Sequence, residues 1–320
     1  MSRARSSKNK GNGASGDSSS GTVDSIPFTT NDCMEPRKII DLFEVRFQSI
    51  LDSPELLEHI QVVKGHLYNR DYLAAFDDDN KRFAYAARWT PARALAYTSL
   101  FASLDPVRDL LKDPESKKSV LCVGGGASSE LVALGAVYCR LKEYCSGSAS
   151  ELNIQLIDIA NWKTVVESLT SYMKENWIYR PEKLTANFIC DDVLTVSKES
   201  LTLETLDLVT LLFTTNELFA EKRKETIRFL QNLNKYCKPG CLLLIAESAG
   251  SYSHITIGER RFPIQFLIDT ILVGKSGEDN GAWETIQKSE SCWYRIESKQ
   301  VDYPMKLENM RFFYRLYRKK

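Results

Sequence analysis

The sequence predicts an α/β chain: a seven-stranded, mostly parallel, doubly wound sheet with an antiparallel terminal hairpin, preceded by a helical extension. Three observations predict it. Beyond Ser119, short apolar runs alternate with segments of helical periodicity. The first of those runs ends in Gly124-Gly125-Gly126. The chain closes on two aromatic-rich, strand-like segments instead of another strand–helix unit. Continuous apolar strands alternating with helices imply a parallel sheet covered on both faces, and two closing strands joined by a short loop pair antiparallel.

Each region follows its own chemistry. Residues 1–24 hold Ser, Gly, Asn and the basic Arg3, Arg5, Lys8 and Lys10, too little apolar surface to offset ordering, so residues 1–35 are assigned to a disordered tail. Residues 36–114 are assigned to a helical extension, beginning with Ile39, Leu42, Phe43, Phe47 and Ile50 on one helix face. Ser53-Pro54, Thr90-Pro91 and Asp105-Pro106 each pair a capping oxygen with a proline, predicting helices that start at 54, 91 and 106, with another over 70–78. Residues 115–320 form the α/β domain, with strands over 119–123, 153–158, 185–190, 206–213 and 241–246. Helices are expected along Leu131, Leu134, Tyr138 and Leu141, then over 161–178, 219–236 and 261–272, before closing strands over 292–301 and 310–317.

Composition narrows the function. Forty-two Lys and Arg balance forty-two Asp and Glu in 320 residues, which excludes a strongly basic nucleic-acid coat and an acidic tail protein. No run approaches the ~18 apolar residues of a membrane span. No apolar stretch follows Arg3 and Arg5, so no secretory signal is expected and the chain is read as intracellular. Its eight cysteines are then expected reduced. Cys237 and Cys241 straddle a Lys238-Pro239-Gly240 turn and the histidines lie far off, so no metal site is expected.

The candidate site is a set of strand ends. Gly124, Gly125 and Gly126 close the first strand and open a helix, where glycine permits a sharp turn and close ligand approach. Asp158 ends the second strand, where a carboxylate can accept both hydroxyls of an adenosine ribose. Its spacing from the glycines exceeds the usual ~20 residues, and the polar stretch 144–151 accounts for the excess as a surface insertion. Asp191 and Asp192 end the third strand, placed to take an adenine amine, and Phe213 and Thr214 end the fourth, followed by Asn216 and Glu217. A plain turn, an ordinary strand-end aspartate and a helix cap at Asn216 are the competing structural readings.

This order of motifs resembles the class I S-adenosylmethionine-dependent methyltransferases over about residues 115–318. The terminal hairpin and the absence of glycine at Ser129 separate it from a nicotinamide dehydrogenase. Two positions depart from the pattern: Cys122 stands where an acidic residue is favoured, and Ser128 where a third glycine is common. In the extension, Tyr68, Arg70, Asp71, Tyr72, Leu73, Ala75 and Phe76, then Tyr85, Ala86, Arg88, Trp89, Pro91 and Arg93, resemble fungal methyltransferases that include a large-subunit rRNA uridine-N3 methyltransferase. The resemblance implies S-adenosyl-L-methionine as cofactor, rRNA or a pre-ribosomal particle as partner, and a nuclear, nucleolar or cytoplasmic role in rRNA processing. It implies cofactor binding by Gly124, Gly125, Gly126, Asp158, Asp191, Asp192, Phe213 and Thr214, with Asn216 holding the pyrimidine edge and Glu217 accepting the N3 proton. Arg88, Trp89 and Arg93 are the RNA-contact candidates, by phosphate pairing and base stacking. A noncatalytic ribosome-assembly factor on this fold, or a small-molecule or protein methyltransferase, are the alternatives.

Overall fold

A computed structural model describes residues 24–114, 116–142, 150–250, 253–257, 260–275 and 280–320. The basic residues of the expected tail, Cys145 and most of the 144–151 insertion lie outside the described residues.

A two-residue strand, β1 (Asp24–Ser25), precedes helices α1 (Pro36–Arg46), α2 (Gln48–Leu51), α3 (Leu56–Tyr68), α4 (Tyr72–Ala75), α5 (Asp79–Ser103) and α6 (Asp105–Lys112). Strands and helices then alternate: β2 (Lys117–Val123), α7 (Ser129–Lys142), β3 (Glu151–Asp158), α8 (Lys163–Asn176), β4 (Leu184–Cys190), α9 (Lys198–Leu201) and β5 (Leu208–Leu212). Helices α10 (Thr215–Glu221) and α11 (Arg223–Tyr236) lead to β6 (Leu242–Ser248). A separate ribbon of β7 (His254–Ile257) and β8 (Arg260–Pro263), helix α12 (Ile264–Leu272) and strands β9 (Trp283–Tyr294) and β10 (Met310–Lys319) complete the chain.

The main sheet runs β1-β9-β10-β6-β5-β2-β3-β4. Strands β6, β5, β2, β3 and β4 are parallel, and β10 is antiparallel to both β6 and β9, so the expected hairpin forms. The sheet has eight strands where seven were predicted. The eighth comes from the segment assigned to the tail: Asp24 and Ser25 pair with Cys292 and Trp293, and buried Phe28 stacks against Tyr294.

Period-two alternation sends neighbouring strand residues to opposite cores. Val120 and Cys122 face the layer of α1, α5, α7 and α8, while Leu121 and Val123 face α11 and α12. Strand β2 is flanked by β3 on one side and β5 on the other. That reversal opens a crevice at the strands' carboxyl ends.

Several boundaries moved. Thr90-Pro91 starts no helix, because Asp78 caps α5 by accepting from Lys81 N–H and the helix runs through Pro91. A proline inside a helix leaves the carbonyl four residues earlier without its partner. Here that carbonyl is Ala87 O, and the Tyr303 hydroxyl donates to it at 2.8 Å. The helix expected over 70–78 shrinks to α4, capped by Asp71. The helix expected over 219–236 breaks at Lys222, whose Nζ is tied to Asp192 at 2.6 Å. Pro263 is the N-cap of α12, not part of its first turn, because residues 260–263 are held in the ribbon. The penultimate strand lies earlier than 292–301, anchored by buried Trp283, whose indole N–H donates to Asn234 at 2.8 Å. Among the described residues, no helix is long and apolar enough to cross a membrane.

Candidate active site

The crevice above β2, β3, β4 and β5 holds a cavity of about 200 Å³. Its floor is built by the strand ends. Gly124 leaves β2 at φ +70°, a conformation that suits glycine, and the Thr214 side chain occupies the space where a Cβ would stand. A Cβ on Gly126 would collide with the Trp162 ring. Thus these glycines make room for Thr214 and Trp162, and of the three only Gly124 lines the cavity.

Both departures from the methyltransferase pattern have structural answers. Ser128 adopts φ +69°, a backbone conformation glycine takes more easily, and its hydroxyl donates to Gly126 O at 3.2 Å. Behind Cys122, helix α7 supplies the carboxylate that the strand lacks. Glu130 is buried under the glycine turn, with the Thr210 hydroxyl donating to it at 3.5 Å. Burial pushes its pKa up to about 8.

Asp158 clamps the turn from β3. One oxygen accepts from Gly126 N–H at 3.2 Å and the other from Ala160 N–H at 3.1 Å. Burial raises its pKa to about 6, while those two N–H groups pull the other way. At the end of β4, Asp191 and Asp192 line the same cavity, and Lys222 pairs with Asp192. Phe213 leaves β5 at φ +60°, strained for a bulky side chain, and Thr214 donates to Val123 O at 3.2 Å. Both line the cavity.

Glu217 enters the wall from the first turn of α10. Burial first, then the neighbouring charge of Glu247, pushes its pKa up to about 7, against the pull of Arg93. Asn216 points elsewhere. Its amide donates to the Ser253 hydroxyl at 2.9 Å and its N–H to Glu247 at 3.1 Å, and it is not among the lining residues.

The three RNA-contact candidates part company. Arg93 lines the cavity and donates to the Tyr85 hydroxyl at 2.7 Å. Arg88 instead packs the extension onto the loop before β10, donating to Glu308 at 2.8 Å and Lys306 O at 2.9 Å. Trp89 lies 4.8 Å from the Tyr85 ring, with Arg88 over its face. Neither Arg88 nor Trp89 lines the cavity.

The roof was not legible in the sequence as a site. Phe76, Tyr85 and Trp162 pack together there with centroids 4.7–5.7 Å apart, and Tyr72 joins the lining with a pKa raised to about 12 by burial and by Glu217 and Glu221. Tyr72, Phe76 and Tyr85 enter the sequence reading only through the family resemblance, and Trp162 only as part of the helix expected over 161–178. No spacing rule joins a helix near residue 80 to a strand end near residue 214.

The cavity's chemistry fits an adenosine-bearing amino acid. Carboxylate acceptors stand at β3 and β4, apolar Ile159, Val193 and Leu194 stand beside them, and Arg93 adds a cation to the lining. Among the described residues no group of three or more His, Cys, Asp or Glu is arranged to hold a metal ion, and the seven described cysteines are unpaired.

Comparison with known proteins agrees with this chemistry. Residues 43–318 match the model of a family described as "Putative SAM-dependent methyltransferase". The chain is 47% identical to the 25S rRNA (uridine(2843)-N(3))-methyltransferase of Saccharomyces cerevisiae, over 92% of this chain and 88% of that one. Solved structures with a more distant likeness include a SAM-dependent methyltransferase from Methanosarcina mazei (13% identity, 63% of this chain and 92% of that one, TM-score 0.40). Another is the N-methyltransferase NodS from Bradyrhizobium japonicum bound to S-adenosyl-L-homocysteine (14% identity, 63% of this chain and 78% of that one, TM-score 0.36). On the family model and the yeast relative, the chain belongs to the family of S-adenosylmethionine-dependent methyltransferases.

Proposed function

We propose that this chain methylates N3 of a uridine in large-subunit rRNA, working on ribosomal precursors in the nucleus. The observation that carries the reading is Glu217, a carboxylate in the cavity wall with a pKa near 7. Uridine N3 bears an imide proton that must leave as the methyl arrives. A carboxylate with its pKa raised to that level is a stronger base than an ordinary one and is still substantially ionised at neutral pH. The 47% identity to the yeast uridine-N3 enzyme supports the same substrate.

The residues divide the work. Bound S-adenosylmethionine supplies an electrophilic methyl sulfonium. Asp158 accepts from the ribose hydroxyls, and Asp191 takes the adenine amine. Gly124, Phe213 and Thr214 set the floor beneath the reacting end, and alignment is the main contribution to rate. The Watson–Crick edge of the uridine must be unpaired to enter, so the base flips out of its stack against the aromatic roof. Glu217 then takes the N3 proton.

The test is incubation of the full chain with methyl-labelled cofactor and large-subunit rRNA lacking the modification, followed by digestion to nucleosides. Label in 3-methyluridine is the expected result. Label confined to another nucleoside, or to protein, would overturn the reading.

A further inference from the structure

We propose that Arg93 is the anchor for the carboxylate at the amino-acid end of the cofactor, and not a phosphate contact for RNA. The inference rests on the cavity being the cofactor site and adds a residue to it. It begins with the layout of charge. Asp158, Asp191 and Asp192 gather over β3 and β4, where they suit the hydroxyl and amine donors of adenosine. Lys222 stands at that end too, but it is held by Asp192 at 2.6 Å. Arg93 enters the lining from α5, one turn before Tyr97, whose ring lies 6.2 Å from that of Phe213 at the end of β5.

Arg93 is under-used by the protein. A guanidinium has five N–H donors. Here one hydrogen bond is made, to the Tyr85 hydroxyl, and among the described residues no carboxylate lies within 4.0 Å of it. Glu130, Glu217 and Glu247 act on it only from farther away, without forming an ion pair. A half-buried cation without an ion-pair partner is left under-satisfied until an anion completes it. The amino-acid carboxylate is the anionic group the ligand carries, and its two oxygens match the guanidinium fork. The guanidinium lines the cavity beside Tyr85, where the carboxylate of a bound ligand can reach it.

The experiment is calorimetric titration of the full chain with S-adenosylmethionine and with decarboxylated S-adenosylmethionine, which lacks only the carboxylate. Wild-type protein should prefer the intact ligand by about ten- to a hundredfold, the loss expected for a charge-assisted pair. In Arg93→Met that preference should collapse to about onefold while affinity for the decarboxylated ligand stays within about twofold, which also certifies the fold. Arg93→Lys, a point charge in place of a fork, should keep a reduced preference. Equal weakening of both ligands in Arg93→Met, or a wild-type preference left intact in it, overturns the proposal. If Arg93→Met does not fold, the lysine variant decides, and an undiminished preference there overturns it. Wild-type protein that binds neither ligand would instead sink the assignment of the cavity itself.

Discussion

The two ends of the cavity are built by opposite strategies. At the β3–β4 end, each acidic residue is delivered by the strand that ends there, and Asp158 holds the glycine turn by one hydrogen bond, from Gly126 N–H. On the other side the charged groups come from distant stretches of chain: Arg93 from α5 and Glu217 from α10 line the cavity, and Glu130 of α7 lies buried beneath the glycine turn. The first end is a local consequence of a doubly wound sheet. The second exists because α5 packs on α7, bringing Arg93 to the cavity, and α7 buries a carboxylate beneath the glycine turn. The difference separates acidic groups that the strands deliver locally from charged groups that the helices bring together.

Substitutions can break that division, starting with the largest effect. Glu217→Gln should lower turnover by about 10²–10⁴, the usual loss for a general base, with cofactor affinity within about twofold. In the wild type, single-turnover rates should rise as pH rises through about 7, since the base acts only when deprotonated. Unchanged turnover in the variant would move the proton acceptor to another residue.

Glu130 tests the buried side of the same end through stability. Its folded pKa of about 8 lies above its ordinary 4.5. The stabilisation this gives is present below pH 4.5 and is lost as pH rises through about 8, on the order of a few kcal/mol. Glu130→Gln is neutral throughout. Its melting temperature should therefore lack that decline and exceed the wild type's above pH 8. A decline as steep as the wild type's would assign the titration to another group.

Asp158→Ala probes the strand-built end. It should weaken S-adenosyl-L-homocysteine by about ten- to a hundredfold in calorimetry, or ~1.5–3 kcal/mol. Wild-type binding should also weaken as pH falls through about 6, where the carboxylate protonates. The smallest change is Arg88→Ala. Its pair with half-exposed Glu308 lies outside the cavity, so the expected loss is about 1 kcal/mol or less in denaturant melts. Cofactor affinity should not move. A tenfold drop would mean that the extension's packing on the loop before β10 reaches the site.

Legibility in the sequence follows the same division. The strand–helix alternation, the terminal hairpin and the placement of Gly124, Asp158, Asp191, Asp192, Phe213 and Thr214 at one crevice could be read from apolar periodicity and chain order. The Cys122 and Ser128 departures could not be resolved that way. One is answered by Glu130 across a helix–strand contact, and the other by a backbone angle that serine tolerates. The Thr90-Pro91 boundary misled for a similar reason, since the carbonyl that proline leaves open is satisfied by Tyr303 from the far end of the chain. The eighth strand was missed because a two-residue β-bridge has no periodicity to read.

By itself, the sequence determined what depends on neighbours along the chain: the alternating elements, the tight glycine turn and the acidic strand ends, because local spacing decides which face or terminus a side chain occupies. Tertiary structure alone decided which of the charged and aromatic residues meet. Arg93 reaches the cavity while Arg88, five residues earlier on the same helix, faces Glu308. The pKa values of Glu130, Asp158 and Glu217 are likewise set by burial, which arises only when distant elements pack and exclude water.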